Sequence, residues 1–255
     1  MGTFLFDKII FGPVKSRRLG ASLGVNLLPT NSKICNFDCI YCECGLTDST
    51  KGDLPSRNQV AEELEEYLKE SVSIGRTIDA ITFAGNGEPT IHKDFAGIIE
   101  DTYHLRNTYF PKAQIALLTN STTVGSKKIR QTFKLIDQVI LKLDSVNKQT
   151  VELLNCPLGS FNLEKTIELL ASLENPIVQT MFVQGIYRNK TINNTTEEEI
   201  IPWLQALDKI KPSLVMIYTI ARDTPFDTLS KVPLEKLNEI GKRVEDLGFE
   251  IQISG

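Results

Sequence analysis

ICNFDCIYCECG, residues 34–45, holds four of the five cysteines in a chain of 255 residues. Three explanations compete for the C-x3-C-x2-C spacing of Cys35, Cys39 and Cys42. Disulfides are disfavoured, because such short spacings staple no distant segments and nothing in the sequence directs the chain out of a reducing compartment. A structural zinc site needs a fourth Cys or His, for which Cys44 and His92 are the candidates. An iron–sulfur cluster is bound by thiolates, and a four-iron cluster held by only three of them keeps one iron open to another ligand.

Outward from the cysteines, short β-rich runs alternate with longer amphipathic stretches. Strands are predicted at 22–28, 79–85, 114–120, 138–144, 177–183 and 213–220, with a terminal one at 249–254. Asn58 is expected to cap a helix over 60–73, Asn162 one beginning at Leu163, and Thr195 or Thr196 one whose first turn holds Glu197, Glu198 and Glu199. Pro233 opens a last helix that ends at Gly248. Near-continuous apolar strands alternating with helices imply a parallel sheet covered by helices. Six such units suit an open doubly wound sheet or an incomplete (β/α)6 barrel, and in both the ligands gather at the carboxyl ends of the strands. The cysteines follow the first strand, GNGEP (85–89) follows the second and Thr119-Asn120-Ser121 ends the third, so one rim is expected to carry all three. No repeat or long linker divides the chain, and a single α/β domain is the simplest organisation.

A composition of 41% hydrophobic and 24% charged residues suits a folded globular protein, and the net charge of -4 argues against a broad nucleic-acid surface. Local basic sites remain at 15–18 (KSRR) and 127–130 (KKIR). The apolar runs fall well short of the roughly 20 residues of a membrane helix, and no signal peptide pattern opens the chain, so a cytoplasmic protein without membrane contact is expected.

The run Cys35-Asn36-Phe37-Asp38-Cys39-Ile40-Tyr41-Cys42 resembles the C-x3-C-x-φ-C signature, with φ aromatic, of the radical S-adenosylmethionine (radical SAM) superfamily. Gly85-Asn86-Gly87-Glu88-Pro89 resembles that family's GGEP element; read alone, it is a strand-to-helix turn. The resemblance extends through FGPVKSRRLGASLGVNLLP, ITFAGNGEPTIHKDF, LKLDS, QTMFVQG and VMIYTIARDTP to short single-domain radical SAM proteins related to the wybutosine-biosynthesis enzymes, which build a tricyclic tRNA base. It implies an incomplete (β/α)6 barrel over residues 1–255, with 1–21 as an N-terminal extension, 22–220 as the core and 221–255 as a C-terminal helix and strand. The implied cofactors are a [4Fe–4S] cluster on Cys35, Cys39 and Cys42, and S-adenosyl-L-methionine chelating the open iron.

Further roles follow from the same resemblance. Main-chain carbonyls of Gly85, Asn86, Gly87 and Pro89, helped by Glu88, are expected to accept from the SAM amino group. Asn120, Ser121, Asp144 and Gln179 are candidates for its ribose or carboxylate, with a cap or a satisfied buried group as the alternative for each. Tyr41 stands where the family recognises adenine through the main chain, and its ring is free to pack over the cluster. The implied activity is that of an oxidoreductase or transferase: a flavodoxin- or ferredoxin-type donor delivers one electron, SAM is cleaved to methionine and a 5'-deoxyadenosyl radical, and the radical takes hydrogen from a substrate. The substrate stays open among a small molecule, a protein glycine as in a glycyl-radical activase, and a tRNA base. A non-catalytic iron–sulfur or zinc module is the contrasting class.

Lys142 has two readings: a Schiff-base lysine with a depressed pKa, as the tRNA-modifying relatives imply, or the partner of Asp144 or of the SAM carboxylate, since residues two apart share a strand face. Arg222, after the sixth strand, is a candidate for holding an anionic substrate at the rim, or else a surface residue. Arg17 and Arg18 precede the first strand. Cys44 and Cys156 are too few to supply a second four-iron cluster.

Overall fold

The run AITF (80–83) buries all four side chains, which a strand achieves only where both of its faces are covered. In the computed structural model, which describes residues 4–16, 18–48 and 52–255, that run is the third of ten strands. In chain order the elements are β1 (Ile10–Ser16), β2 (Gly20–Val25), α1 (Arg57–Ser73), β3 (Ala80–Phe83), α2 (Phe95–Tyr109), β4 (Gln114–Thr119), α3 (Lys127–Thr132), β5 (Gln138–Lys142), α4 (Lys148–Leu154) and α5 (Leu163–Ala171). There follow β6 (Ile177–Tyr187), β7 (Lys190–Asn193), α6 (Glu197–Ile210), β8 (Leu214–Thr219), β9 (Leu229–Lys231), α7 (Leu234–Glu245) and β10 (Ile251–Ser254). The sheet order is β1-β2-β3-β4-β5-β6-β8-β10, parallel from β2 onward, with β7 and β9 antiparallel to the outer part of β6.

The sheet curls into a half-barrel. Arg18, in the turn after β1, lies 4.8 Å from the ring of Tyr218 on β8, so distant strands of the sheet meet across the interior. Helices pack outside over two apolar clusters, one around Leu64, Phe83, Phe95 and Leu117, the other around Leu141, Val178, Trp203 and Leu237. The interior is graded by the two-residue period of its strands. Ala80, Ala116, Ile140, Ile177 and Met216 close the lower end as an apolar plug. Two residues further along the same strands stand Thr82, Leu118, Lys142, Gln179 and Tyr218, and all five line cavities at the carboxyl ends.

Three features depart from the sequence reading, and two expected cap positions are found. The N-terminal extension contributes β1, which pairs antiparallel with β2. Strand β6 outruns its predicted end at 183 and turns into β7 through Arg188 and Asn189, both at positive φ (49° and 59°), a conformation suited to two-residue hairpins. Ser56, not Asn58, caps α1: its hydroxyl accepts from Gln59 N at 3.2 Å, and Asn58 falls inside the first turn. Thr196 occupies the N-cap of α6 without a side-chain capping bond, whereas Asn162 caps α5 by accepting from Lys165 N at 2.8 Å. No helix among the described residues is long and apolar enough to cross a membrane.

Candidate functional site

The cysteine loop is zipped along both edges by main-chain hydrogen bonds. On one side Ile34 N donates to Asn86 O at 2.9 Å and Glu88 N to Ile34 O at 3.2 Å; on the other, Asp38 N donates to Cys156 O at 3.1 Å and Ile40 N to Leu154 O at 3.0 Å. This double clamp brings residues 34–42 against the GNGEP turn. Gly85 and Gly87 have φ of 155° and 138°, and a Cβ on either would collide, with the Asn26 side chain or the Ile34 carbonyl respectively. Cys35, Cys39, Cys42, Gly85, Gly87 and Glu88 thereby face a common cavity of about 230 Å³, together with Asn120, Lys142 and Gln179 from the next three strands.

Electrostatics around the thiols are set by burial and by one cation. Burial pushes the Cys35 thiol up to about 12 and the Cys39 thiol up to about 11. The Cys42 thiol is lowered by its hydrogen bond with Cys44 and by nearby Lys33. Lys33 is buried; its ammonium donates to Gly45 O at 2.8 Å and to Asp38 Oδ1 at 3.3 Å. Burial opposes its charge, but the three thiols and Asp38 outweigh that and hold its pKa above the usual lysine value. Ligation requires thiolates, and Lys33 is the built-in countercharge for them.

The GNGEP turn divides its labour. Asn86 faces away from the cavity: its amide exchanges two 2.9 Å bonds with the Phe6 main chain and donates to Pro29 O at 2.8 Å, and its backbone N–H donates to Asn26 Oδ1 at 3.0 Å. Glu88 is buried, accepting from Thr90 N and Oγ1, Thr119 Oγ1 and Asn120 N at 2.6 to 3.1 Å. Burial raises its pKa in spite of those four bonds. Pro89 starts a single 3-10 turn behind it. Asn120 Nδ2 lies 3.6 Å from Cys35 Sγ and donates to Asn36 Oδ1 at 2.5 Å. Gln179 is buried, and its Nε2 has no hydrogen-bond partner among the described residues.

An orphaned amide donor in a cavity with three thiols and a glycine turn calls for a ligand that brings both metal and acceptor atoms. The radical SAM superfamily profile matches residues 32–198. The chain belongs to the radical SAM superfamily. Members of this superfamily use a [4Fe–4S] cluster and S-adenosylmethionine, and the thiols, turn and free amide fit that pair. Among curated relatives, the chain is 32% identical over 250 residues to a protein of Brachyspira hyodysenteriae named GTPase Obg, covering 98% of this chain but 35% of that protein. It is 31% identical over 247 residues to a UPF0026 protein of Methanocaldococcus jannaschii, covering 91% of this chain and 70% of the relative. The crystal structure of a radical SAM methyltransferase from Sphaerobacter thermophilus superposes with a TM-score of 0.67 at 12% identity, over 91% of this chain and 65% of that one. Archaeal TYW1 shares the fold at a TM-score of 0.50 and 11% identity, over 88% of this chain and 71% of that one, so the wybutosine kinship rests on fold alone.

Within the radical SAM frame, Lys142 is an ion-pair lysine. Its ammonium donates to Tyr41 Oη at 2.7 Å and lies 3.4 Å from Asp144 Oδ2. Burial opposes the charge, but Asp144 outweighs it and holds the pKa above the usual lysine value. A Schiff base needs the neutral amine, so this arrangement favours the ion-pair reading of Lys142 over the Schiff-base one. Asp144 also accepts from the Tyr41 hydroxyl, from Asn155 Nδ2 at 2.7 Å and from Met181 N at 2.9 Å, and it does not line the cavity. Its side chain organises the wall. Ser121 likewise turns away, donating its hydroxyl to Lys142 O at 3.0 Å.

The remaining candidates separate clearly. Arg222 is exposed at the rim and donates to Glu43 Oε2 at 2.8 Å. Arg17 lies outside the described residues. His92 is buried against Pro55 O at 2.9 Å and accepts from Asp94 N, which removes it as a zinc ligand. Cys44 points to Gly85 O at 3.5 Å. Among the described residues no three His, Cys, Asp or Glu side chains converge to hold a single metal ion. Sequence reasoning missed Lys33, Asn155 and Tyr218. A lysine two places before the first cysteine was a visible signal; the other two join the site only through space, Asn155 by its 3.4 Å contact with Cys39 Sγ.

Proposed function

We propose that this chain cleaves S-adenosylmethionine reductively on a [4Fe–4S] cluster held by Cys35, Cys39 and Cys42, and turns the 5'-deoxyadenosyl radical so formed to hydrogen abstraction from a substrate. The reading is carried by one observation: three thiols, the glycine turn at 85–88 and the unpartnered Gln179 amide share a single cavity. Lys33 balances the thiolate charge. The turn offers main-chain carbonyls, with Glu88 behind them, to the SAM amino group, while Gln179 offers its unpartnered amide donor to the SAM oxygens and Asn120 sets its amide against Cys35 Sγ. Tyr41 and Leu118 wall the cavity and keep water from the reacting atoms. A flavodoxin- or ferredoxin-type donor supplies the electron.

The test is anaerobic reconstitution with iron and sulfide, followed by EPR of the reduced protein with and without SAM and assay of 5'-deoxyadenosine. About four irons per chain, a spectrum altered by SAM and formation of 5'-deoxyadenosine are expected. Cys35→Ala, Cys39→Ala and Cys42→Ala each abolish iron uptake, and Cys44→Ala spares it. A reduced spectrum indifferent to SAM with no 5'-deoxyadenosine overturns the proposal.

A further inference from the structure

A second cavity, of about 460 Å³, adjoins the first, and Tyr41, Ala84, Leu118 and Tyr218 line both. It is bounded by β1 and its turn on one side and by residues 220–224 beyond β8 on the other. Three cations reach it from separate elements: Lys15 on β1, Arg18 in the following turn and Arg222. The single acidic residue among its described lining is Glu43, already paired with Arg222. Three positive charges less one negative leave an excess of +2 at this cavity, against -4 for the whole chain.

That reversal of sign is local, and its setting is apolar. Arg18 covers the ring of Tyr218 at 4.8 Å, and Phe6 and Phe11, also in the lining, stack on each other at 3.8 Å. Low-dielectric walls focus the field of a few cations on a small opening. A polynucleotide draws its affinity from many phosphate contacts over a broad basic surface, which a chain of net charge -4 with three cations at one spot does not offer. A single carboxylate or phosphate needs only two or three such donors. The volume lies within the range of small-molecule sites, roughly 300–1,000 Å³.

We infer that this cavity binds a small organic anion, its carboxylate or phosphate group paired by Arg18, Arg222 and Lys15 and its apolar body set against Phe11, Leu118 and Met181, and that such an anion is the substrate class. The assignment rests on the proposed function, because the shared wall of Tyr41, Ala84, Leu118 and Tyr218 is what puts a ligand here beside the SAM cavity. It disfavours both a tRNA base and a protein glycine. Arg222 would exchange Glu43 for the incoming anion, a swap of one ion pair for another at an exposed side chain.

Calorimetric titration of the reconstituted protein with phenyl phosphate, 3-phenylpropionate and benzyl alcohol tests it. At least one anion is expected to bind at one per chain, ten-fold or more tighter than the neutral alcohol, and comparison of the two anions identifies the preferred head group. Arg18→Gln and Arg222→Gln each weaken that binding at least ten-fold, and Arg18→Lys recovers part of it. Should Arg18→Gln fail to fold by circular dichroism, Lys15→Gln and Arg222→Gln, both at exposed side chains, carry the comparison. Equal or absent binding of all three probes, or anion binding unchanged in the folded variants, overturns the inference. Formation of 5'-deoxyadenosine is assayed on the same wild-type preparation. Its absence defeats the proposed function whatever the anions do; its presence without anion binding defeats this inference alone.

Discussion

Gly87 and Ile34 meet in a parallel bridge so close that a Cβ on Gly87 would overlap the Ile34 carbonyl oxygen. The glycine therefore serves the fold as well as any ligand: it lets the loop carrying Cys35 lie directly on the GNGEP turn. Gly87→Ala is expected to destabilise the protein by about 2 kcal/mol or more and to depress iron uptake, because the obstructed carbonyl belongs to the residue before Cys35, a proposed cluster ligand. Gly75→Ala is the control. It too has a positive φ, 67°, but nothing lies within 4 Å of its Cβ, so a loss of about 1 kcal/mol with iron uptake intact is expected. Urea unfolding and iron assay on the two variants check the pair.

Glu88 is not replaceable by its amide. Oε1 accepts from Thr90 N at 3.1 Å and Oε2 from Asn120 N at 2.6 Å, so either orientation of a glutamine sets an NH2 group against a main-chain donor. Glu88→Gln should cost about 2 kcal/mol. Burial raises the Glu88 pKa above 4.5, so its contribution is full below that value and is lost as pH rises through the folded pKa. The substitution is thus more damaging in mild acid than at neutral pH, which urea titrations of both proteins at several pH values will reveal.

Legibility from sequence followed the range of the interactions concerned. Apolar runs such as AITF announce buried strands, and the cysteine spacing announces its own ligand class, because both are local patterns. Strand β1 escaped because Gly12, Pro13, Lys15 and Arg18 read as a basic loop, while its pairing with β2 is decided by the hairpin it closes. Asn58 and Ser56 are both good capping residues, and only the chain's path after Pro55 decides between them. Lys142 and Asp144 could be read as a pair from their spacing. The sign of the Lys142 shift could not, because it depends on how far Asp144 outweighs burial, a quantity fixed by the folded wall.

Lys33 is the residue whose loss should be read in the electron transfer itself. Its buried ammonium faces Cys35, Cys39 and Cys42, and a positive charge there favours the more negative, reduced state of a cluster. Lys33→Gln keeps much of the side-chain length while removing the charge. In an EPR-monitored redox titration its cluster should reduce at a lower potential than wild type, and Lys33→Arg should bring the potential back toward it. Equal potentials in all three proteins would mean that Lys33 is only a strut for Gly45 and Asp38.

Lys142 should resist Schiff-base trapping. Condensation with a carbonyl needs the free amine, and Asp144 holds the Lys142 pKa above 10.5 in spite of burial. The stabilisation from this pair is complete below 10.5 and fades only as pH rises through the still higher folded value, so the lysine is charged throughout the physiological range. Pyruvate with cyanoborohydride at neutral pH should leave Lys142 unmodified, as read by mass spectrometry of the peptide that carries it. Asp144→Asn removes the countercharge while the burial that disfavours an ammonium persists. In that variant the free amine becomes accessible at lower pH, and labelling at Lys142 should rise several-fold, provided circular dichroism shows the fold retained. Ready labelling of the wild-type lysine would return it to the role of nucleophile and make the ion pair with Asp144 a resting arrangement.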